Sequence, residues 1–195
     1  MLINAENQKL ILRIIEQGVD QCATKLAAMS RADWDMRTTS LKAYAKPDDF
    51  AELKAPSQYF YGASCQSPGA MFLALFTSRS AAIITHAFLG KGRPDFKASP
   101  SMQELAVAEI SNIVINAVAS VLADRCGTPV VLSAPKPSRG ARADIIQQAF
   151  GEFKPAGNIF SAYIHLAAPT LTTDCTLLLM LDDVTVNYLI NVLAE

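Results

Sequence analysis

Met71–Gly90 reads MFLALFTSRSAAIITHAFLG, and Thr176–Glu195 reads TLLLMLDDVTVNYLINVLAE. Laid one over the other, both open as an apolar run of strand length. Both pass a short polar junction, then continue with apolar side chains at helical spacing. The junction residues are of the types that cap helix N-termini. Ser78 or Ser80 is the expected cap of the first helix, and Asp182 and Asp183 are those of the second. A strand–helix unit written twice in one chain implies internal duplication.

The flanking segments extend the repeat. Residues 5–30 carry Leu12, Ile15, Val19, Cys22, Leu26 and Met29 at the spacing of one helical face. WDMRTTSLKAYA then reads as a strand, broken at Lys46-Pro47-Asp48-Asp49, where proline removes a ladder donor. SQYFYGASC and AMFLALFT flank Ser67-Pro68-Gly69 as a hairpin, and the helix after it ends near Gly90. KGRPDFKASP is a connector. Ser101-Met102-Gln103-Glu104 has the form of a capping box opening a second long helix. A strand PVVLSAP, a loop KPSRGARAD, a short helix DIIQQAF and the strands NIFSAYIHLAA and DCTLLLMLD lead into the final helix. Each half therefore runs helix, strand, strand, strand, helix.

The expected architecture is α/β (α+β) in a single domain, 1–195, with halves of about 1–92 and 99–195 related by a pseudo-twofold. The nearly continuous apolar strands imply a sheet that is covered rather than wet on one side.

Composition narrows the function. The chain has 195 residues, 51% of them hydrophobic, enough for a large core. A net charge of -1 supplies no basic footprint for nucleic acid. No uninterrupted apolar run suggests a membrane span, and Met1–Glu6 lacks a signal-peptide pattern, so a cytoplasmic protein is expected. Cys22, Cys65, Cys126 and Cys175 are scattered, as small buried thiols are. His86 and His165 are equally dispersed, and no zinc, P-loop or dinucleotide motif occurs. Trp34 and the Met-rich and aromatic runs read as packing residues. Tyr59-Phe60-Tyr61 would form an oligomer surface if exposed.

The chemistry concentrates in Glu104–Gly127, ELAVAEISNIVINAVASVLADRCG. At ~3.6 residues per turn, Leu105, Glu109, Asn112, Asn116 and Ser120 share one stripe roughly 80° wide. The other positions are nearly all Ala, Val, Ile or Leu, so the helix shows water one polar seam. A carboxylate beside a carboxamide on a rigid support can hold a partner's cation and aim a water molecule. A solvated polar stripe is the plainer alternative, and it is the preferred reading for Ser120. Asn116 is either a neighbour of the site or a polar residue of the helix face. Lys136, Arg139 and Arg142 fall in a loop that would be solvated or would meet an acidic partner surface.

Glu109-Ile110-Ser111-Asn112 followed by Pro135 fits the spacing E-x2-N-x22-P. This resembles the signature of the CheC/CheX/FliY chemotaxis phosphatases, and the doubled element order and length fit as well. The resemblance implies a CheC-like fold and a phosphatase for phospho-aspartate on a CheY-like response regulator. By it Asn112 would orient the attacking water, Glu109 would pair with the regulator's lysine, and Pro135 would be structural. Magnesium would sit on the regulator, with no cofactor or metal on this chain. A homodimer of the CheX kind and a CheD-like or flagellar-switch partner are also implied. Leu105 departs from the family, which usually has Asp or Ser there; Glu104 lies beside it. In the first half the matching stretch is Glu16-Gln17-Gly18-Val19, where valine replaces asparagine, so one site per chain is expected. The same fold used without turnover, as a binding module, is the alternative.

Overall fold

The computed structural model describes residues 5–44, 58–90 and 95–193. The break expected at Lys46–Asp49 and the start of the connector after Gly90 lie outside them. In chain order the elements are α1 (Ala5–Ser30), β1 (Asp35–Tyr44), β2 (Tyr59–Ser67), β3 (Ala70–Thr77) and α2 (Ser78–Leu89). Then come α3 (Pro100–Cys126), β4 (Lys136–Ala141), α4 (Arg142–Glu152), β5 (Ile159–Ala168), β6 (Thr173–Asp182) and α5 (Asp183–Leu193).

The six strands form one sheet in the order β1-β5-β6-β3-β2-β4, and every neighbouring pair is antiparallel. Exchange the halves, so that β1 becomes β4, β2 becomes β5 and β3 becomes β6. The order then reads the same from the other edge. The pseudo-twofold axis runs between β3 and β6, whose ladder pairs Ala70–Leu75 with Leu181–Thr176. The α+β architecture with duplicated halves is thus the one observed, with α4 lying between β4 and β5 in the second half.

Strand alternation explains the layers. Phe72, Ala74 and Phe76 of β3, with Leu177, Leu179 and Leu181 of β6, face a core built with α1, α2, α3 and α5. Met71, Leu73 and Leu75, with Leu178 and Met180, face the opposite way, onto Ile145, Ile146, Ala149 and Phe150 of α4. Both faces are therefore covered, as the apolar runs required.

The duplicated junctions are duplicated in geometry too. Thr77 caps α2, its hydroxyl accepting from the Ser80 N–H at 3.0 Å. Asp182 caps α5, its carboxylate accepting from the Thr185 N–H at 2.8 Å. Thr77 lies over Asp182 in the repeat, so the first cap is one residue earlier than Ser78. Asp183 instead accepts from the Asn158 backbone N–H at 3.0 Å.

Other expectations need correction. α3 is capped by Ser99, which accepts from the Met102 N–H at 3.3 Å, and Pro100 takes the first helical position. The capping box at Ser101 is therefore inside the helix, because proline at the first turn is already set for helix and needs no N–H partner. The segment PVVLSAP is not a strand. It is tied to β2 by Ser133 N–H to Gln66 O at 2.8 Å, and the ladder begins only at Lys136, in what reads as a loop. Burial misled there: β4 is a polar edge strand, while Val131 is 73% exposed. Pro135 thus precedes a strand rather than ending one. Pro100–Arg125 is also long and apolar enough to cross a bilayer, yet 67% of its most apolar stretch is buried inside the protein.

α1 and α3 pack side by side across the core. They approach closely at Gly18, where a Cβ would lie 2.8 Å from the Val118 Cα. The first-half stretch matching E-x2-N is this contact, and Val19 is fully buried.

Cys22, Cys65 and Cys175 are buried and free. Burial pushes the Cys22 thiol up to about 12 and the Cys65 thiol up to about 11. Trp34 is a packing residue whose indole donates to Ser30 Oγ at 3.0 Å. Tyr59 is exposed, whereas Phe60 and Tyr61 are buried.

Candidate functional site

α3 positions the site. Its buried positions, from Ala106 and Val107 through Ile110, Ser111, Val114, Ile115 and Val118 to Leu122, fix the helix against α1 and the sheet. That leaves one strip outside. Leu105, Glu109, Asn116 and Ser120 are exposed, and Asn112 is half-buried between them. Helical spacing sets Glu109 and Asn112 one turn apart on the same side.

Asn112 and Asn116 are joined directly. The Asn116 carboxamide donates to the Asn112 backbone carbonyl at 2.8 Å and to the Asn112 side-chain oxygen at 2.7 Å. The next turn repeats the backbone contact, Ser120 Oγ donating to Asn116 O at 2.7 Å.

A shallow groove of about 480 Å³ runs along this strip, between α3 and α1. Asn112, Ile113 and Asn116 form one wall and Lys25, Ala28 and Met29 the other. Sequence reasoning missed the α1 wall. Lys25 and Met29 become neighbours of Asn112 only because α1 packs against α3, which no local pattern announces.

Leu105 is 64% exposed, an apolar side chain one turn before Glu109. Glu104 does not stand in for the missing acid. It turns toward β4, where Arg139 lies 3.6 Å from its carboxylate. Lys136 of β4 and Arg142 at the start of α4 also have neighbours of their own. Lys136 pairs with Glu152, and this contact holds the Glu152 carboxyl below its ordinary range. The Arg142 guanidinium stands 5.6 Å from the Phe60 ring centre. Pro135 is half-buried just before β4. In the first half Val19 is buried and Glu16 half-buried, with Gln17 taking a hydrogen bond from Arg125 at 2.7 Å.

A second polar cluster lies at the α2 N-terminus. Ser80 donates to Asp174 at 2.6 Å, and His165 stands 3.7 Å from the other Asp174 oxygen. The acid is central and the serine already donates to it, so the arrangement is not one that activates a nucleophile. Among the described residues no group of three or more His, Cys, Asp or Glu gathers to hold a metal.

The fold defines a class, an antiparallel α+β domain of two fused halves with paired long helices on one face of its sheet. This is the fold of the CheC/CheX/FliY proteins. The chain is similar to the solved structure of Thermotoga maritima FliY, with a TM-score of 0.70, 15% identity, and coverage of 100% of this chain and 98% of that one. It is similar to FliM in the FliG–FliM complex from H. pylori, with a TM-score of 0.65, 9% identity, and coverage of 97% and 100%. It is also similar to the chemotaxis protein CheX from Vibrio vulnificus, with a TM-score of 0.54, 14% identity, and coverage of 86% and 97%. No family model and no curated protein sequence matches the chain.

Proposed function

We propose that this chain is a phosphatase for the phospho-aspartate of a CheY-like response regulator, acting in the cytoplasm. One observation carries the reading. Glu109 and Asn112 lie one turn apart on the narrow exposed strip of a mostly buried helix, with the spacing to Pro135 of the CheC/CheX/FliY signature. An acyl phosphate already has a good leaving group, so a catalyst need supply only in-line placement of water and neutralisation of charge. A carboxamide suits the first task, because it donates and accepts without titrating. A carboxylate one turn away suits docking on the regulator's lysine. Magnesium would be the regulator's, and this chain would bring none.

The test is phosphate release from CheY-type receiver domains with and without the protein. Asn112→Ala is expected to lower the rate on the order of 10²-fold while the protein remains folded. Equal rates for Asn112→Ala and wild type would remove the mechanism.

A second reading, a binding module without turnover, is favoured by Leu105. An exposed leucine where the family usually has Asp or Ser makes this edge of the face apolar. Similarity to a FliM structure solved with FliG accords with a docking role, toward a regulator, a CheD-like protein, a flagellar-switch component or a second copy of this chain. Saturable binding to a phosphorylated receiver with no gain in dephosphorylation rate would select it.

A further inference from the structure

We propose that Asn116 is a positioning residue, one that sets which end of the Asn112 carboxamide faces an incoming molecule. The inference rests on the phosphatase reading of Asn112 and extends it by one turn of α3.

The two ends of a carboxamide look alike in shape and differ in chemistry. One end only accepts hydrogen bonds and the other only donates them. A water-orienting asparagine free to turn over would present the wrong end for part of its time. Here the hydrogen-bond network removes that freedom. The Asn116 group that lies 2.8 Å from the Asn112 backbone carbonyl must be its NH2, because a carbonyl oxygen can only accept. The same NH2 lies 2.7 Å from the Asn112 side chain, so the atom it meets there must be the oxygen. Each contact fixes the next. The Asn112 oxygen is drawn along the helix toward Asn116, one turn further on, and the Asn112 NH2 is the end left to face a partner.

That orientation has a chemical consequence. An N–H that donates to one lone pair of a water leaves the second lone pair to attack phosphorus. In the reaction the water oxygen forms a bond to phosphorus. The bond from phosphorus to the aspartyl oxygen breaks, and its electron pair leaves on the regulator's carboxylate. One water proton passes to a phosphoryl oxygen, giving inorganic phosphate. Asn112 neither gains nor loses a proton, so a fixed donor serves as well at the end as at the start. Asn116 touches neither water nor phosphate and acts only through its neighbour.

The variants that separate this from a plain surface asparagine are Asn116→Ala and Asn116→Asp. The first removes the clamp and lets the carboxamide turn. The second keeps size and shape but offers only acceptors, which attract the Asn112 NH2 and reverse the group. Rates would be measured on a panel of CheY-type receiver domains phosphorylated with phosphoramidate, beside wild type and Asn112→Ala. The side-chain amide resonances of Asn112 would be followed by NMR. For Asn116→Ala kcat is expected to fall roughly fivefold, the worth of one neutral hydrogen bond, with KM unchanged. For Asn116→Asp it is expected to fall toward the level of Asn112→Ala, on the order of 10²-fold. The Asn112 NH2 resonances should shift in both, most in Asn116→Asp. Unchanged melting temperatures would show that the fold is intact. Wild-type kcat in both variants, with Asn112→Ala inactive, would overturn the clamp and leave the phosphatase reading standing. No acceleration by wild type on any receiver would overturn both.

Discussion

Replacing Gly18 by alanine sets two well-measured effects against each other. In the interior of a helix, alanine is better than glycine by about 1 kcal/mol, so propensity alone predicts a more stable protein. The structure predicts the reverse. An added Cβ would sit 2.8 Å from the Val118 Cα and 3.3 Å from its Cβ, with Cγ1 at 3.4 Å. Ordinary carbon contacts are about 3.5–4.0 Å. The nearest obstacle is the α3 backbone, which has no rotamer to change, so α1 must retreat by roughly 1 Å or bend. Overpacking of this kind costs roughly 1–3 kcal/mol. After the propensity gain is subtracted, a net loss of about 1 kcal/mol is expected for Gly18→Ala. For the bulkier, β-branched Gly18→Val about 3 kcal/mol is expected. In a chain of 150–250 residues each kcal/mol moves the midpoint by about 2–4 °C, so the two variants should melt in a clear order below wild type. Urea titrations would supply the free energies. A Gly18→Ala protein as stable as wild type, or more so, would refute the close helix contact. Lys25 and Met29 lie about two and three turns further along α1 and help form one wall of the groove, so the same displacement should also weaken activity at Asn112.

Leu105→Asp restores the residue type usual in the family and removes an exposed apolar contact. It should change the KM for a phosphorylated receiver by severalfold and leave kcat within about twofold, as steady-state kinetics would show; an unchanged KM would place Leu105 outside the interface. Asp182→Ala removes the α5 cap and the carboxylate that accepts from the Ala156 N–H at 3.1 Å. It should lower stability by about 1–2 kcal/mol in denaturant titrations. Cys22, Cys65 and Cys175 should resist alkylation in the native protein at neutral pH, reacting only as fast as the fold opens. Because burial raises these thiols, the unfolded chain loses their protons first as pH climbs past the ordinary value of 9.0. Stability should therefore be intact below that pH and fall as it rises toward 11 and 12, a trend that replacing Cys22 with Ser would reduce.

The long periodic elements were legible because burial wrote them. α1, the β2–β3 hairpin, α2 and the last two strands have apolar patterns that only one kind of backbone satisfies. The doubling was legible because Met71–Phe76 and Thr176–Leu181 are matching apolar runs that each pass a polar junction into a matching helix, although the cap at Thr77 emerged only from the structure. β4 was hidden because an edge strand needs no apolar face; Lys136 and Arg139 read as loop, while the apolar run before them packs Val130 and Leu132 against the core and meets β2 through Ser133 without forming a ladder. At the site, the stripe from Leu105 to Ser120 followed from helical period alone, and the structure exposes it as that period requires. The hydrogen bonds between Asn112 and Asn116 are local and could have been anticipated from their spacing of four residues. Lys25 and Met29 could not, since they lie 83 or more residues before Asn112 in the chain and approach it only through the packing of α1 on α3.

The order of strands bears on how this molecule assembles. Among the described residues β1 pairs only with β5, and β4 only with β2, so each half lends its outer strand to the opposite flank. A chain severed between α2 and α3 would leave one fragment with a lone hairpin and a strand lacking any partner of its own. Neither piece should hold structure alone, yet mixing them should regenerate the whole, each fragment templating the other. Ribosomal synthesis meets the same obstacle. The N-terminal half must wait, incomplete, until the C-terminal half has emerged.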